Sequence, residues 1–275
     1  MTCYYLRPAW REKHENKNGK KEITFAKKGT QIDEDLMVPC GKCDGCRAGA
    51  RMDWAIRMYH ESQEYDRNAF ITLTYEHAPE KLVKPDLQKF IKRLRKHSNR
   101  KLRYFACGEY GEETNRPHYH MILFNEDFRG GYTYNLDDEL YGNTALNRIW
   151  SHGTCTLSDF SMATACYVAG YVNKKIGDKD TFSIMSKRPP IGYDYAHKHQ
   201  DQLARLETCV VEGRELPVPK VYLEWDTPSQ FRPETVQLDT VRGNRRKYLK
   251  QLTPEQLRNK QINQKSKTLL KVNKL

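Results

Sequence analysis

At 275 residues the chain is long enough for one large domain or two small ones, and 47 Lys and Arg against 35 Asp and Glu leave a formal charge of +12. That excess favours an anionic partner through counterion release, nucleic acid first, and 17 tyrosines favour single strands, whose unpaired bases stack on aromatic faces. No run approaches eighteen apolar residues, and Met1-Thr-Cys-Tyr-Tyr-Leu-Arg-Pro8 puts no long apolar core behind a basic start, so neither a membrane protein nor an exported one is expected.

In chain order, residues 1–39 mix short apolar patches with charge and glycine and suit a hairpin or an irregular arm. Cys40, Cys43 and Cys46 then form Cys-x-x-Cys-x-x-Cys, with Gly41 and Gly45 permitting tight turns, and Cys3 could complete a tetrahedral zinc site. Part of an iron–sulfur pattern and a metal-free cluster are the alternatives; the other cysteines, Cys107, Cys155, Cys166 and Cys209, read as buried thiols. Ala50, Trp54, Ile56, Met58 and Tyr59 predict a helix from Cys46 to about Tyr65, and the β-branched and aromatic run Ala69–Tyr75 predicts a strand. Pro85 and Asp86 open an amphipathic helix with Leu87, Phe90, Ile91 and Leu94 on one face. Around that face lie Lys89, Lys92, Arg93 and Lys96, expected to bind DNA.

Leu102–Cys107 and Tyr119–Phe124 predict a hairpin, Gly153–Leu157 a further strand, and a helix follows from about Asp159 or Ser161 through Lys175. This order predicts an α+β fold, a central antiparallel sheet with helices packed on one face and the other left open. Three segments are expected: an arm with the cysteine cluster and helix (1–66), a nicking domain (67–180) and a C-terminal extension (181–275). In that extension the segment from Arg242 to Leu275 carries eleven Lys and Arg against Glu255 alone.

Chemistry enters with Arg116-Pro-His-Tyr-His-Met-Ile-Leu-Phe124. Residues two apart on a strand share a face, so His118 and His120 project together. If the hairpin pairs 103–109 with 118–124, Glu109 lies nearly opposite His118 and joins the two imidazoles, with Glu112 and Glu113 as reserves. Two histidines and one carboxylate with open positions suit Mg²⁺ or Mn²⁺ beside a phosphate. Tyr167 and Tyr171, four apart, fall on one helix face near Lys174 and Lys175, so a phenol can attack that phosphate with a lysine assisting. Taken singly, His-x-His and Tyr-x-x-x-Tyr are more often packing than chemistry; their order within about seventy residues favours catalysis.

These segments resemble a known family. Phe70-Ile-Thr-Leu-Thr-Tyr75, Gly108-Glu-Tyr-Gly111, the His118/His120 run and Tyr167-Val-Ala-Gly-Tyr-Val-Asn-Lys-Lys175 look like the motifs of the HUH endonucleases of rolling-circle replication. The two-tyrosine motif is similar to that of φX-type phage gene A proteins. Val38-Pro-Cys-Gly-Lys-Cys-Asp-Gly-Cys-Arg47 and Met185-Ser-Lys-Arg-Pro-Pro-Ile-Gly192 look like gokushovirus (Microviridae) replication initiators. The resemblance implies His118, His120 and Glu109 as ligands of Mg²⁺ or Mn²⁺, Tyr171 and Tyr167 as nucleophiles, and Lys174 as the basic residue of the motif. Gly170 departs from it, since φX-type relatives tend to carry Lys there. It further implies a site-specific nick in double-stranded replicative-form DNA through a 5′-phosphotyrosine link, a free 3′ hydroxyl for host polymerase, and later closure of the displaced single strand. The setting is the cytoplasm of the bacterial host. No Gly-x-x-x-x-Gly-Lys-Ser/Thr occurs, so a host helicase is expected to open the duplex. The competing reading is a non-catalytic single-stranded DNA-binding protein with a zinc-stabilised arm.

Overall fold

The computed structural model describes residues 3–15, 21–26, 32–111, 113–135, 139–174, 180–206, 208–223, 225 and 253–272. The chain divides into two compact units, Met1–Gly49 with Arg232–Leu275, and Ala50–Phe231.

In the first unit, β1 (Arg7–Glu15), β2 (Lys21–Thr24) and β3 (Ile32–Val38) form an antiparallel sheet in the order β2-β1-β3. The segment expected as a hairpin or irregular arm is thus a three-stranded sheet. Its sheet buries little: Ala9 and Leu36, partners across β1 and β3, are its buried residues among those described. A 19-residue helix, α1 (Asp44–Ser62), starts in this unit and runs on into the second.

The second unit is built on β4 (Asn68–Tyr75), α2 (Lys84–His97), β5 (Arg103–Tyr110), β6 (Pro117–Phe124), β7 (Tyr132–Asn135), β8 (Leu140–Gly142), α3 (Thr144–Trp150), β9 (Gly153–Asp159), α4 (Met162–Lys174) and β10 (Phe182–Met185). Its strands make one seven-stranded sheet in the order β10-β5-β6-β4-β9-β8-β7, every described pair antiparallel. Beyond it come α5 (Tyr193–Lys198), α6 (Gln200–Leu206) and the hairpin β11 (Thr208–Val211) and β12 (Arg214–Pro217). Helix α7 (Pro254–Val272) belongs to the first unit.

The α+β class and antiparallel sheet agree with the sequence reading and with an HUH-type fold. The expectation that helices cover one face is corrected, because both faces carry them. Leu87, Phe90, Ile91 and Leu94 of α2, with Leu146, Ile149 and Trp150 of α3, pack on the face made by Ile71, Leu73, Tyr119, Met121 and Leu123. Ala55 and Met58 of α1, with Ala165, Val168 and Ala169 of α4, pack on the opposite face against Phe105, Cys107, Ile122 and Phe124. The physical reason lies in β6: Met121-Ile-Leu-Phe124 is an unbroken apolar run, which only a strand buried on both sides needs. A buried ion pair, Arg103 with Glu61, fastens α1 to β5. Arg103 also donates to the Pro189 and Pro190 carbonyls (3.0 and 3.1 Å), and Glu61 accepts from the Gly192 N–H (2.7 Å).

Candidate active site

The hairpin register brings the site together. Glu109 pairs with His118 and Cys107 with His120, while Thr72 of β4 pairs with His120 from the other side. Alternation along β6 sends Tyr119, Met121 and Leu123 into the α2–α3 core and turns His118 and His120 to the α4 side. Glu109 Oε1 accepts hydrogen bonds from His118 Nε2 at 2.7 Å and His120 Nε2 at 2.6 Å. These three ligand atoms lie within 4.8 Å of one another, so they can converge on one cation. Each imidazole is also held by its far nitrogen. His118 Nδ1 donates to the Arg116 carbonyl at 3.1 Å, and His120 Nδ1 lies 3.0 Å from Thr72 Oγ1. Such outer contacts fix ring orientation and leave Nε2 facing the centre, as metal-binding histidines require. Phe70 stacks on His120 with centroids 5.3 Å apart. The donor set therefore fits a divalent metal, with two nitrogens, one hard oxygen and room for phosphate oxygens.

Helix α4 supplies the phenols. Tyr167 Oη donates to Glu109 Oε1 at 2.8 Å and lies 3.4 Å from His120 Nε2. The Tyr171 hydroxyl also hydrogen-bonds Glu109, and the two tyrosine rings stand 5.3 Å apart. They differ in access: Tyr167 is 42% exposed and Tyr171 7%.

Electrostatics follow from this packing. Burial alone would raise the Glu109 carboxyl, but hydrogen bonds from His118, His120 and Tyr171 outweigh it and hold Glu109 far below the usual carboxylate range. Burial also works against the His118 imidazolium, yet Glu109 and the Arg116 carbonyl leave its pKa raised, whereas in the more deeply placed His120 burial prevails and lowers it. Burial, then the Glu109 carboxylate, push the Tyr167 phenol up to about 12 and raise Tyr171 as well.

Other expected residues are distributed differently. Lys89, Lys92, Arg93 and Lys96 are exposed on α2, on the sheet face opposite the triad, and Arg93 donates to the Ile149 and Trp150 carbonyls at the end of α3 (2.8 and 2.9 Å). Lys174 ends α4; its side chain, Lys175 and Glu112 lie outside the described residues. Glu113 is exposed and is not part of the triad. Cys3, Cys40, Cys43 and Cys46 do come together, their four sulfurs within 4.8 Å of one another. Cys107, Cys155 and Cys209 are buried thiols, and Cys166 is half-buried.

Thr72 and Arg116, which orient the histidines, went unread in the sequence as supporting groups. Arg51 of α1 also went unread; it lies against Gly170 and donates to the Cys166 carbonyl at 2.6 Å. Thr72 is signalled only by its register opposite His120, which needs the β4–β6 pairing to be known.

Comparison with known proteins agrees with this geometry. A family model of replication-associated proteins, described by the ORF2 protein, matches residues 68–176. The chain is 34% identical over 233 residues to the replication-associated protein VP4 of Bdellovibrio phage phiMH2K, covering 76% of this chain and 73% of that one. It is 29% identical over 241 residues to the replication-associated protein ORF2 of Spiroplasma virus 4 (78% and 74%) and 28% over 210 residues to the replication-associated protein ORF4 of Chlamydia phage 1 (67% and 52%). No solved structure matches significantly. With its hairpin triad and paired tyrosines, the chain belongs to the replication-associated proteins of these microviruses, the gokushovirus-type replication initiators.

Proposed function

We propose that this initiator is a metal-dependent HUH endonuclease and strand transferase that nicks one strand of phage replicative-form DNA and later rejoins the displaced strand. The observation that carries the reading is the Tyr167 hydroxyl, 2.8 Å from the carboxylate that both histidines share. Mg²⁺ or Mn²⁺ bound by Glu109, His118 and His120 would polarise the scissile phosphate and offset its developing charge.

The chain's own groups do the rest. Glu109 holds the Tyr167 phenol at the centre. The phenol loses its proton, its oxygen bonds to phosphorus, the bond from phosphorus to the 3′ oxygen breaks, and that oxygen leaves to become a 3′ hydroxyl. Lys174, with Lys175, steadies the charge on the reacting phosphate. The 5′-phosphotyrosine ester conserves the bond energy, so a 3′ hydroxyl can reverse the step without ATP. Tyr171, on the same helix face, makes a second cleavage while the first adduct persists.

Lys89, Lys92, Arg93 and Lys96 hold DNA away from the reacting centre, and the DNA partner is the phage origin in single- and double-stranded form. Host helicase and polymerase are the implied protein partners, in the bacterial cytoplasm; among the described residues no helix is long and apolar enough to cross a membrane. The division into an arm (1–66), a nicking segment (67–180) and a basic extension (181–275) belongs to this reading, as does zinc at the four cysteines in a structural role.

The test uses end-labelled single-stranded fragments tiling the phage genome, mixed with protein and Mn²⁺ and run on a denaturing gel. One fragment is expected to shift as a covalent adduct, and the adduct to vanish in Tyr167→Phe/Tyr171→Phe. Retained DNA binding with no adduct from the unaltered protein would support the non-catalytic single-strand binder instead.

A further inference from the structure

We infer that Cys3, Cys40, Cys43 and Cys46 form a closed tetrahedral zinc centre, and that filling it is a condition for the β1–β3 sheet to hold its fold. This rests on the assignment of zinc to these thiols and is independent of the nicking reading.

The geometry is that of a single four-sulfur ion. Zinc–thiolate bonds of about 2.3 Å set tetrahedral sulfur–sulfur edges of roughly 3.8 Å. Cys40 Sγ lies 4.0 Å from Cys46 Sγ, and Cys43 Sγ lies 3.9 Å from Cys3 Sγ. These separations are far too long for disulfides, and all four thiols are free. Backbone donors already point at three of the sulfurs: Cys40 N–H at Cys3 Sγ (3.2 Å), Cys43 N–H at Cys40 Sγ (3.4 Å) and Tyr4 N–H at Cys43 Sγ (3.5 Å). Such N–H groups offset the charge that thiolates bring to a metal. Gly41, at φ +74°, turns the chain between Cys40 and Cys43 in a conformation that side chains resist.

What the site closes explains why it is needed. Cys3 lies just before Arg7 and Cys40 just after Val38, and Arg7 pairs with Val38, so the whole three-stranded sheet is a loop that enters and leaves at the four sulfurs. That sheet buries only Ala9 and Leu36 among its described residues, and the adjoining apolar cluster consists of the cysteines themselves with Tyr4 and Leu6. A unit with so small a core needs another source of folding free energy, and ligands absent from a preformed site in the unfolded chain make metal binding that source. Tetrahedral sulfur ligation with every position taken suits a structural ion, zinc before iron.

The experiment is elemental analysis of the full-length protein purified without chelator. About one zinc per chain is expected, retained in His118→Ala/His120→Ala and in Cys166→Ser, and lost in Cys40→Ser and Cys43→Ser. Since a cysteine variant can lose metal merely by unfolding, a second readout uses the unaltered chain. Cobalt(II) should give the visible absorption of a tetrahedral tetrathiolate site, displaced by equimolar zinc. Chelation should speed amide exchange in Arg7–Glu15 and Ile32–Val38 while leaving Pro117–Phe124 slow. A zinc-free chain, iron in its place, zinc that survives Cys43→Ser, or exchange in β1 and β3 indifferent to chelator would each overturn the inference.

Discussion

The two metal-capable groups of this chain stand on opposite kinds of support. Glu109, His118 and His120 project from the central strands of a seven-stranded sheet with apolar packing on both faces, and their positions follow from strand register alone. The four cysteines sit beside a three-stranded sheet with almost no core of its own. Where the scaffold is rigid before the ion arrives, the ion is available for chemistry. Where the scaffold is thin, the ion is spent on folding.

The comparison can be broken most severely at the phenols. Tyr167→Phe/Tyr171→Phe should abolish adduct formation, a loss of at least about 10³-fold in nicking, with the far-ultraviolet spectrum and melting profile little changed. A fall in stability matching the loss of activity would mean that these side chains hold the fold together and do no chemistry.

The rigidity of the catalytic scaffold is open to direct attack at Trp150. It is fully buried, its ring meets Tyr75, Phe90 and Tyr119, and its Nε1 donates to the Thr74 carbonyl at 3.0 Å. Trp150→Ala should cost about 3–5 kcal/mol in urea unfolding, because it leaves a cavity and an unpaired acceptor.

Acid should weaken the same unit through His60, which stacks on Tyr195 at 3.8 Å and shares a hydrogen bond with the Tyr222 hydroxyl at 3.1 Å. Burial, aided by nearby His199, lowers its pKa to about 4, so the folded state keeps it neutral while the unfolded chain takes up a proton near 6.5. Its contribution is present above pH 6.5 and is lost as pH falls toward 4, up to about 3 kcal/mol. Urea midpoints measured across that window should fall less steeply in His60→Gln.

The smallest effect separates orientation of a ligand from its presence. Thr72→Val removes the hydroxyl beside His120 Nδ1 and should weaken Mn²⁺ binding about 10–100-fold, with Thr72→Ser restoring most of it. Electron paramagnetic resonance of free Mn²⁺ during titration reads this directly.

Much of the site was legible in the sequence because strand alternation and the i, i+4 helix repeat are local rules. Given the hairpin, Glu109 opposite His118 followed from counting, and so did Tyr167 beside Tyr171. What was not legible depended on distant partners. Phe182–Met185, only four residues, becomes a strand by pairing with β5. The β7–β8 hairpin and α3 went unread because their segments are short and mix glycine with polar residues. The helices on the second face were missed although Met121-Ile-Leu-Phe124 shows no polar side. The outward lysines of α2 could be read as basic but not as lying opposite the triad, since the choice of face is made by the whole sheet.

The measurement closest to the central claim is a crystal structure of the protein soaked in Mn²⁺, with anomalous diffraction used to find the ion. The account predicts a single strong manganese peak bonded to Glu109, His118 and His120, with the Tyr167 hydroxyl turned toward it. Manganese bound elsewhere, or a triad left without a peak at saturating Mn²⁺, would contradict it.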